Sequence, residues 1–247
     1  RGFGLNQPGG WAYNILPYIE QQALHDLPMD SNAGTISADQ KSKALQMAMT
    51  PVSLMNCPSR RRSQLYPGEV GGPNANTGSQ VAKTDYAVNH GSVRWSNDLA
   101  GPDSDSSANS YWSSSAANRT AATGIVHVRS QIDMAQVRDG SSNVIMIGEK
   151  ALDPSYYSSG TGAGDTRGMF QGEDSCTGRW TNYPPIADGP MTNVTNPGDR
   201  FGASHSGAAN YVFCDGSVRS ISYSVNAETF LYLGHRSSGK VVDATQF

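Results

Sequence analysis

One short stretch near the C-terminus constrains the fold of this chain more than any other feature. Residues 210–214 and 217–223 both have the composition of strands, and Asp215-Gly216 lies between them. Asp-Gly between two strand-like runs is among the strongest hairpin signals, because a type I′ turn requires two residues with positive φ. The sequence therefore predicts an antiparallel hairpin with Asp215 and Gly216 in its turn.

The same stretch contains side chains that a hydrolase would use. His205 is flanked by Ser204 and Ser206, and Asp215 follows. A strand over residues 209–214 would rise roughly 20 Å, at about 3.3 Å per residue. Since a catalytic pair must meet at about 3 Å, His205 and Asp215 are predicted not to pair. We expect His205 instead to form hydrogen bonds that tie the preceding loop to the sheet.

The composition favours short strands joined by long polar loops. Of the 247 residues, 27 are Gly and 13 are Pro, and only 16% are charged. Turn-forming residues at this frequency interrupt regular structure often. No βαβ alternation is visible, which disfavours a doubly wound fold. The expected fold class is α+β, with one globular domain over residues 1–247, an antiparallel sheet, short helices and large polar loop insertions.

Helices are predicted from apolar periodicity and from capping residues. Ser37 and Gln40 form a capping-box pattern at the start of one helix. Asn226 is a suitable N-cap for the last helix, which should stop at Gly234. The predicted helical segments are 11–27, 37–49, 134–138 and 226–234.

Strands and loops are predicted from alternation and from turn-forming residues. The further predicted strands are 52–55, 84–89, 124–128 and 143–148. Irregular polar segments are expected over 59–83, 91–123 and 153–200. An insertion as long as 91–123 is usually a functional surface.

The charge distribution argues against a nucleic-acid partner. The formal net charge is −3, and the 18 basic residues are scattered apart from Arg60-Arg61-Arg62. A nucleic-acid-binding surface normally shows a basic stripe with interleaved aromatic residues. The arginine triplet is therefore interpreted as a solvated turn.

The sequence assigns no metal ligand set and predicts no cofactor. The five histidines are dispersed, without an HxH or HxxxH pair. Cys57, Cys176 and Cys214 form no CxxC motif, so their spacing excludes a zinc ribbon. Two states of the cysteines are possible: one disulfide with one free thiol, or three free thiols. Cys214 lies in a strand pattern and is expected to be a buried apolar residue.

A calcium ion held by loop oxygens is the cofactor that the sequence leaves open. Asp103 and Asp105 are spaced like the start of a calcium loop, although the Gly and the distal Glu of an EF-hand are missing. Residues 160–168 are glycine-rich but lack the lysine of a P-loop, so they are interpreted as a flexible loop. Further carboxylates with no distinguishing spacing are Asp165, Asp174, Asp188 and Asp199.

The polar loops also suggest contacts with carbohydrate. Asn118 and Asn193 each begin an N-x-[ST] sequon and are candidate glycosylation sites. Aromatic residues such as Trp95, Tyr156 and Trp180 lie in or beside the same loops, and exposed aromatic rings can stack on sugars. A surface module that binds carbohydrate or calcium through its loops is therefore the alternative function.

Several blocks of this sequence resemble one family when they are taken in order. His205 and Asp215-Gly216 have the spacing of an H-X9-DG motif, and Asp139-Gly140 belongs to an earlier block. Together the blocks resemble bacterial prepilin-type proteins with a C-terminal H-X9-DG domain. The blocks that carry the resemblance are 10–24, 55–61, 84–91, 137–150 and 201–234.

The resemblance implies a structural protein, and the lack of a catalytic cluster in the sequence predicts separately that the chain is not an enzyme. In type IV pilins and type II secretion pseudopilins, a cleaved leader precedes a long hydrophobic helix and a β-rich globular head. The chain is therefore expected to be a pilin-like head, exported to the cell surface. Its expected partners are identical subunits and other pilins or secretion components.

The expected mode of membrane contact follows from the apolar content. No run of 18 apolar residues is present, and Gly-Leu-Asn-Gln-Pro follows Arg1-Gly-Phe where a pilin would continue with an apolar run. We expect Arg1 to lie downstream of the hydrophobic helix, and any membrane contact to be made only through that helix.

Overall fold

The computed structural model describes residues 9–30, 36–72, 74–94 and 121–242, and it has the predicted α+β architecture. The α-helices are α1 (Trp11–Asn14), α2 (Gln22–Asp26), α3 (Ala38–Ala48) and α4 (Ala227–Leu233). The strands are β1 (Leu65–Gly72), β2 (Ala75–Ala82), β3 (Tyr86–Asn89), β4 (Ile145–Glu149), β5 (Gly178–Arg179), β6 (Ile186–Ala187), β7 (Gly202–Ala203), β8 (Ala208–Phe213) and β9 (Val218–Ser222).

The centre of the fold is a five-stranded sheet with the strand order β5-β3-β4-β8-β9. Antiparallel pairing joins β3 to β4, β4 to β8 and β8 to β9, whereas β5 runs parallel to β3. Two smaller sheets are formed by β1 with β2, which are antiparallel, and by β6 with β7, which are parallel. The strands of the C-terminal hairpin therefore complete a sheet that begins with β3 and β4.

The two faces of the central sheet carry separate apolar clusters. Val88 on β3 packs in a cluster with Trp11 and Leu16 of the N-terminal segment. The neighbouring Ala87 packs in a second cluster with Phe230 of α4. Successive side chains of a strand point to opposite faces, so the N-terminal helices cover one face of the sheet and α4 covers the other.

Strand β8 shows the alternation that the sequence predicted. Ala209, Tyr211 and Phe213 are buried, while the residues between them are partly exposed. The Tyr211 ring packs edge-on against Phe201 and Phe230, with ring centroids 5.5 and 5.9 Å apart. This geometry suits aromatic rings and makes one side of the strand the core of the C-terminal cluster.

The predicted C-terminal hairpin is confirmed, but its turn is of another type. Gly216 has a φ of +84°, whereas Asp215 has no positive φ. The Gly216 N–H donates to the Phe213 carbonyl at 2.9 Å, and the Phe213 N–H donates to the Ser217 carbonyl at 2.9 Å. A three-residue loop that ends on a left-handed glycine is the commonest alternative to the two-residue turn. It needs positive φ only at Gly216.

The single helix predicted over 11–27 is divided into α1, a 3-10 turn at Leu16–Ile19 and α2. Pro17 lies in the 3-10 turn, where its missing N–H costs no helical bond. Glu20 adopts a left-handed conformation, with a φ of +61°. That residue stops the helix, and the apolar periodicity alone did not reveal it.

The capping residues and several elements are where the sequence placed them. The Gln40 N–H donates to Ser37 Oγ at 3.0 Å, and the Ser37 N–H donates to Gln40 Oε1 at 3.2 Å. Asn226 accepts from the backbone N–H groups at the start of α4, and that helix ends before Gly234. The other confirmed elements are the strands within 84–89 and 143–148 and the helical turn at Met134–Gln136.

The prediction of an irregular loop over 59–83 is wrong, because β1 and β2 form an antiparallel hairpin there. Glycine and proline predicted a loop, but Pro67 is accommodated in a two-stranded sheet whose register shifts twice. Strands that are not part of a larger sheet tolerate a residue that cannot donate to the ladder. The backbone pairing therefore overrides the local composition.

The strands predicted over 52–55 and 124–128 are also wrong. Ser53–Met55 is a 3-10 turn. In the second segment, the N–H groups of Ile125 and Val126 both turn towards the Asn89 carbonyl, at 3.2 and 3.3 Å. The segment thus crosses the end of β3 and does not pair alongside it.

The long insertions differ in how far the structure describes them. Residues 95–120 of the predicted insertion 91–123 lie outside the described residues. The segment 153–200 contains β5, β6 and two 3-10 turns between irregular stretches. Within the described residues, no helix combines the length and the apolar character that crossing a membrane requires.

Two glycines beside the histidine segment provide a matched test of the packing. A Cβ at Gly202 would lie 1.9 Å from the Ile186 carbonyl oxygen, whereas a Cβ at Gly207 would meet no atom within 4 Å. Gly202→Ala should lower the free energy of unfolding by about 1–3 kcal/mol or more, since a backbone atom must move. Gly207→Ala should change it by less than about 0.5 kcal/mol. Urea unfolding measures both, and equal effects would contradict the packing described here.

Candidate functional site

Buried charged residues gather at one end of the central sheet. Asp85 directly precedes β3 and Lys150 directly follows β4, and the Lys150 N–H donates to the Asp85 carbonyl at 2.9 Å. Because β3 and β4 are antiparallel, these ends lie side by side. Arg60 and Arg61 reach the same place from the segment before β1, and all four residues are at most 8% exposed. We call these residues, with Lys83, Asp165 and Asp188, the ion cluster.

The interpretation of the arginine triplet as a solvated turn is wrong for two of its three residues. Only Arg62 is exposed. Arg60 Nε lies 2.8 Å from Asp188, and its Nη2 donates to the Lys150 carbonyl at 2.7 Å. Arg61 Nη2 lies 2.7 Å from Asp85. The partners are distant in sequence, so the local composition of the triplet did not indicate them.

Asp165 is the shared anion of the ion cluster. Both of its oxygens accept from Arg61, at 2.5 and 3.0 Å, and Oδ1 also accepts from Lys150 Nζ at 3.0 Å. Lys83 Nζ donates to the Gly160 carbonyl at 2.7 Å and to the Asp165 carbonyl. The glycine-rich segment 160–168 is therefore not a free loop, because its carbonyl and carboxylate oxygens surround buried cations.

Burial and neighbouring charges shift the pKa values in the ion cluster. Burial opposes the charged form of Arg61, but Asp165 and Asp85 outweigh it and raise the pKa of the guanidinium. Burial would raise the pKa of Asp165, but Lys150 and Arg61 hold that pKa below its usual value. Burial lowers the pKa of Lys83 to about 8, although Asp165 opposes the shift. Burial also lowers the pKa of Lys150, although Asp165 opposes that shift, so both lysines of the cluster hold their proton less tightly than a free lysine.

The histidine of the H-X9-DG motif lies at the rim of this cluster. His205 Nε2 is 3.3 Å from Glu149 Oε1, at the end of β4, and its side chain is 37% exposed. One ligand atom from each of Cys57, Glu149 and His205 lies within 4.8 Å of the other two. The contact with Glu149 links the histidine segment to the central sheet.

This arrangement is not the linear relay of a cysteine or serine hydrolase. A relay places the nucleophile and the carboxylate on opposite nitrogens of the imidazole ring. Here the thiol and the Glu149 carboxylate converge on the same space beside His205. Asp215 is not involved, since its Oδ1 accepts from the N–H and hydroxyl of Ser217 in the hairpin turn. The predicted separation of His205 from Asp215 agrees with these contacts.

Tyr223 directly follows β9, and its hydroxyl contacts the backbone around His205. Its hydroxyl lies 2.8 Å from the His205 carbonyl, 2.9 Å from that of Ala208 and 3.2 Å from that of Ala203. Burial is the main cause that raises the pKa of Tyr223 to about 12. The neutral phenol thus stays a donor to this segment over the physiological range.

Asp139 and Gly140 lie in the turn before β4, and Asp139 contacts the segment that follows α4. The Asp139 carboxylate accepts from Ser238 Oγ at 2.6 Å and from the Gly239 N–H at 2.8 Å. Burial would raise the pKa of Asp139, but these hydrogen bonds hold it below its usual value. Gly140 has a φ of +97°. The pair fastens the segment after α4 to the turn before β4.

The candidate calcium ligands are already engaged by cations or backbone donors. Asp165 and Asp188 belong to the ion cluster, Asp174 pairs with Arg167 at 3.2 Å, and Asp199 pairs with Arg94 at 2.8 Å. These contacts give a calcium ion at those four positions no support. Asp103 and Asp105 lie outside the described residues.

The candidate carbohydrate contacts are only partly described. Asn193 is exposed in a turn, as a glycosylation site requires, whereas Asn118 lies outside the described residues. Trp180 is buried and 1% exposed, so it offers no stacking surface, and Tyr156 is 45% exposed. Trp95 also lies outside the described residues.

The three cysteines are free thiols in the structure. Cys57 and Cys176 are buried, whereas Cys214 is half-buried and not fully buried as expected. Burial raises the pKa of Cys214 to about 11. Of the three, only Cys57 lies beside the histidine of the motif.

Sequence reasoning did not find Cys57 and Glu149 as neighbours of His205. Each lies in a different block of the family resemblance, within 55–61, 137–150 and 201–234 respectively. That shared membership was the available signal. Spacing could not reveal the contact, because three distant segments meet only after the sheet has formed.

The ion cluster predicts a large difference between a buried and an exposed aspartate. Asp165→Asn keeps the shape but leaves Arg61 and Lys150 without their shared anion, so the free energy of unfolding should fall by about 3–5 kcal/mol. Asp39→Asn removes an exposed helical pair with Lys43 and should cost less than about 1 kcal/mol. Denaturant unfolding at neutral pH compares the two variants. Similar decreases in the free energy of unfolding would show that the ion cluster contributes little to stability.

The pKa of Lys83 predicts an unusual pH dependence. The unfolded lysine keeps its proton up to about 10.5 whereas the folded one loses it near 8, so the unfolded state binds more protons between these values. The Lys83 contribution to the free energy of unfolding should therefore rise with pH between about 8 and 10.5. Above 9, Cys214 contributes the opposite slope.

The comparison of two lysine variants isolates that slope. Lys83→Met should show a flatter or more negative pH dependence than the wild type between pH 8 and 9. Lys43→Met removes an exposed lysine and should leave the slope unchanged. Urea unfolding at several pH values measures it, and identical slopes for all three proteins would contradict the shift at Lys83.

A comparison with protein-family models finds one family whose model matches most of the chain. Residues 1–228 match the model described as "Protein of unknown function (DUF1559)". No curated protein and no solved structure shows a significant match. The matched region covers well over half of the chain and is compatible with a pilin-like surface protein. The chain therefore belongs to the DUF1559 family.

Proposed function

We propose that this chain is the globular head of a structural subunit in an extracellular pilin-like filament or pseudopilus. The observation that carries the proposal is the packing of the N-terminal helical segment on one face of the antiparallel sheet. Trp11 and Leu16 are buried there with Val88. A pilin head is built in this order, with helix first and sheet second, and the DUF1559 match is compatible with it.

The first helix is fixed to the head by polar contacts as well as apolar ones. Trp11 Nε1–H donates to the Thr177 carbonyl at 2.8 Å, and the Trp11 N–H donates to Glu173 Oε1 at 3.0 Å. Glu173 Oε2 lies 3.2 Å from His90 Nε2, and His90 is fully buried. A helix held in this way suits a subunit whose N-terminal side is anchored in a larger assembly.

The ion cluster supports a structural role for a different reason. It joins Arg60 and Arg61 to Lys150 and to Asp188 across the end of the sheet. Cys57, Cys176 and Cys214 form no disulfide in the described structure, so these contacts take the place of covalent links between distant segments. A subunit that remains outside the cell gains resistance to local unfolding from such links.

The proposed partners follow from the proposed assembly. Identical subunits would form the filament, with other pilins or secretion components at its base. Export through the cell envelope places the head at the cell surface, and membrane contact is made only through an apolar N-terminal helix of the intact subunit. The described structure offers no reason to add nucleic acid to these partners, because Arg60 and Arg61 are buried.

Electron microscopy of native surface material tests the proposal. Antibodies against the head should label filaments at a regular repeat. Tyr18, which is 87% exposed on the N-terminal segment, is a suitable contact residue, so Tyr18→Ser should reduce the filament yield. Met134→Ser changes an apolar residue that is 59% exposed elsewhere and should not. A native protein that is always a monomer, with no labelled filaments, would overturn the structural role.

A further inference from the structure

We propose that Cys57, Glu149 and His205 bind one divalent transition-metal ion, and that zinc is the preferred ion. Each residue offers one ligand atom, and the three atoms lie within 4.8 Å of one another. The residues come from the segment after Met55, from the end of β4 and from the segment before β8. The site goes beyond the proposed structural role, because that role rests on the packing of the N-terminal segment on the sheet and uses none of these three side chains as a metal ligand.

The donor set determines the class of metal. A thiolate, an imidazole and a carboxylate are the three protein ligand types of zinc, whereas calcium and magnesium prefer oxygen alone. Zinc bonds of about 2.0–2.3 Å place tetrahedral ligand atoms roughly 3.3–3.8 Å apart. The Glu149 and His205 atoms already lie 3.3 Å apart. If the Cys57 sulfur moved closer to the other two ligand atoms, all three would be at the distances that zinc requires.

Hydrogen bonds orient two of the ligands. The Asn210 N–H donates to Glu149 Oε2 at 2.8 Å, which leaves Oε1 directed at His205. The Cys57 N–H donates to Asp85 Oδ2 at 2.9 Å, which fixes the backbone that carries the thiol. Metal-binding carboxylates are usually held by such outer hydrogen bonds. The ion cluster therefore supplies part of the support for the site.

The exposure of the three ligands gives the direction of entry. Cys57 is 3% exposed and the Glu149 side chain 2%, whereas the His205 side chain is 37% exposed. A metal ion would enter from the His205 side, and its fourth position would face solvent and hold water. Three protein ligands with one open position are typical of zinc sites that can exchange a ligand.

The alternative is that these three residues bind no metal ion and only contact one another. In that case Glu149 accepts a hydrogen bond from His205, and Cys57 fills apolar space near them. The two possibilities predict different behaviour of the purified protein, because only a metal site binds zinc at a fixed ratio and shows a thiolate–metal bond.

Zinc and cobalt titrations of the full 247-residue chain test the site. After chelator treatment in a reducing buffer, the wild type should bind about one zinc ion per chain in competition with a chromophoric chelator. Cobalt should give tetrahedral d–d bands and a sulfur-to-cobalt charge-transfer band that only a cysteine ligand produces. Absence of these bands, or of stoichiometric zinc binding, would overturn the proposal.

Variants assign the ligands. Cys57→Ser should remove the charge-transfer band, and His205→Ala should weaken zinc binding at least tenfold, since even outer-shell changes cost about 10–100-fold. Cys214→Ser, the matched cysteine control, should bind as the wild type does. His205 is half-exposed, so its variant should fold, as circular dichroism will check. Wild-type affinity in His205→Ala, or loss of the band in Cys214→Ser alone, would refute this ligand set.

Discussion

The contact of Arg61 with Asp85 and Asp165 is the interaction on which the rest of the structure depends. Removing an ion from water costs roughly several kcal/mol, so a buried guanidinium requires partners that compensate its charge and satisfy its N–H donors. Arg61 meets both carboxylates with short contacts. Asp85 directly precedes β3 and Asp165 lies in the glycine-rich segment, so the pairing fixes a loop against the end of the central sheet.

The same cluster also positions the candidate metal ligands. Asp85 accepts from the Cys57 N–H as well as from Arg61, and Lys150, which binds Asp165, directly follows Glu149 in the chain. The backbone that carries Cys57 is therefore tied to the ion cluster directly, whereas Glu149 is placed by the pairing of β4 with β3 and adjoins the cluster through Lys150. His205 alone approaches from the solvent side, on a segment held by Tyr223.

Local chemistry made part of the fold predictable, and long-range contacts decided the remainder. The Ser37–Gln40 capping box and the glycine at 216 act within a few residues, so the sequence showed them directly. The burial of Arg60 and Arg61 depends on Asp188 and Asp165, more than a hundred residues away. The same holds for Cys57 beside His205. A solvated turn was the expectation that local composition supports, because nothing near the triplet indicates its distant partners.

The spacing of the H-X9-DG motif follows from the register of β8. Residues 209, 211 and 213 must face the core, and a slip of one residue would turn all of them to the opposite face. Gly216 and Asp215 fix the far end of the strand through the turn, while His205 meets Glu149 near its start. Because Glu149 also accepts from the Asn210 N–H, one carboxylate contacts both the strand and the histidine. The two ends of the motif therefore hold the strand in a single register, which explains why a histidine and an Asp-Gly turn that never touch occur at a defined separation.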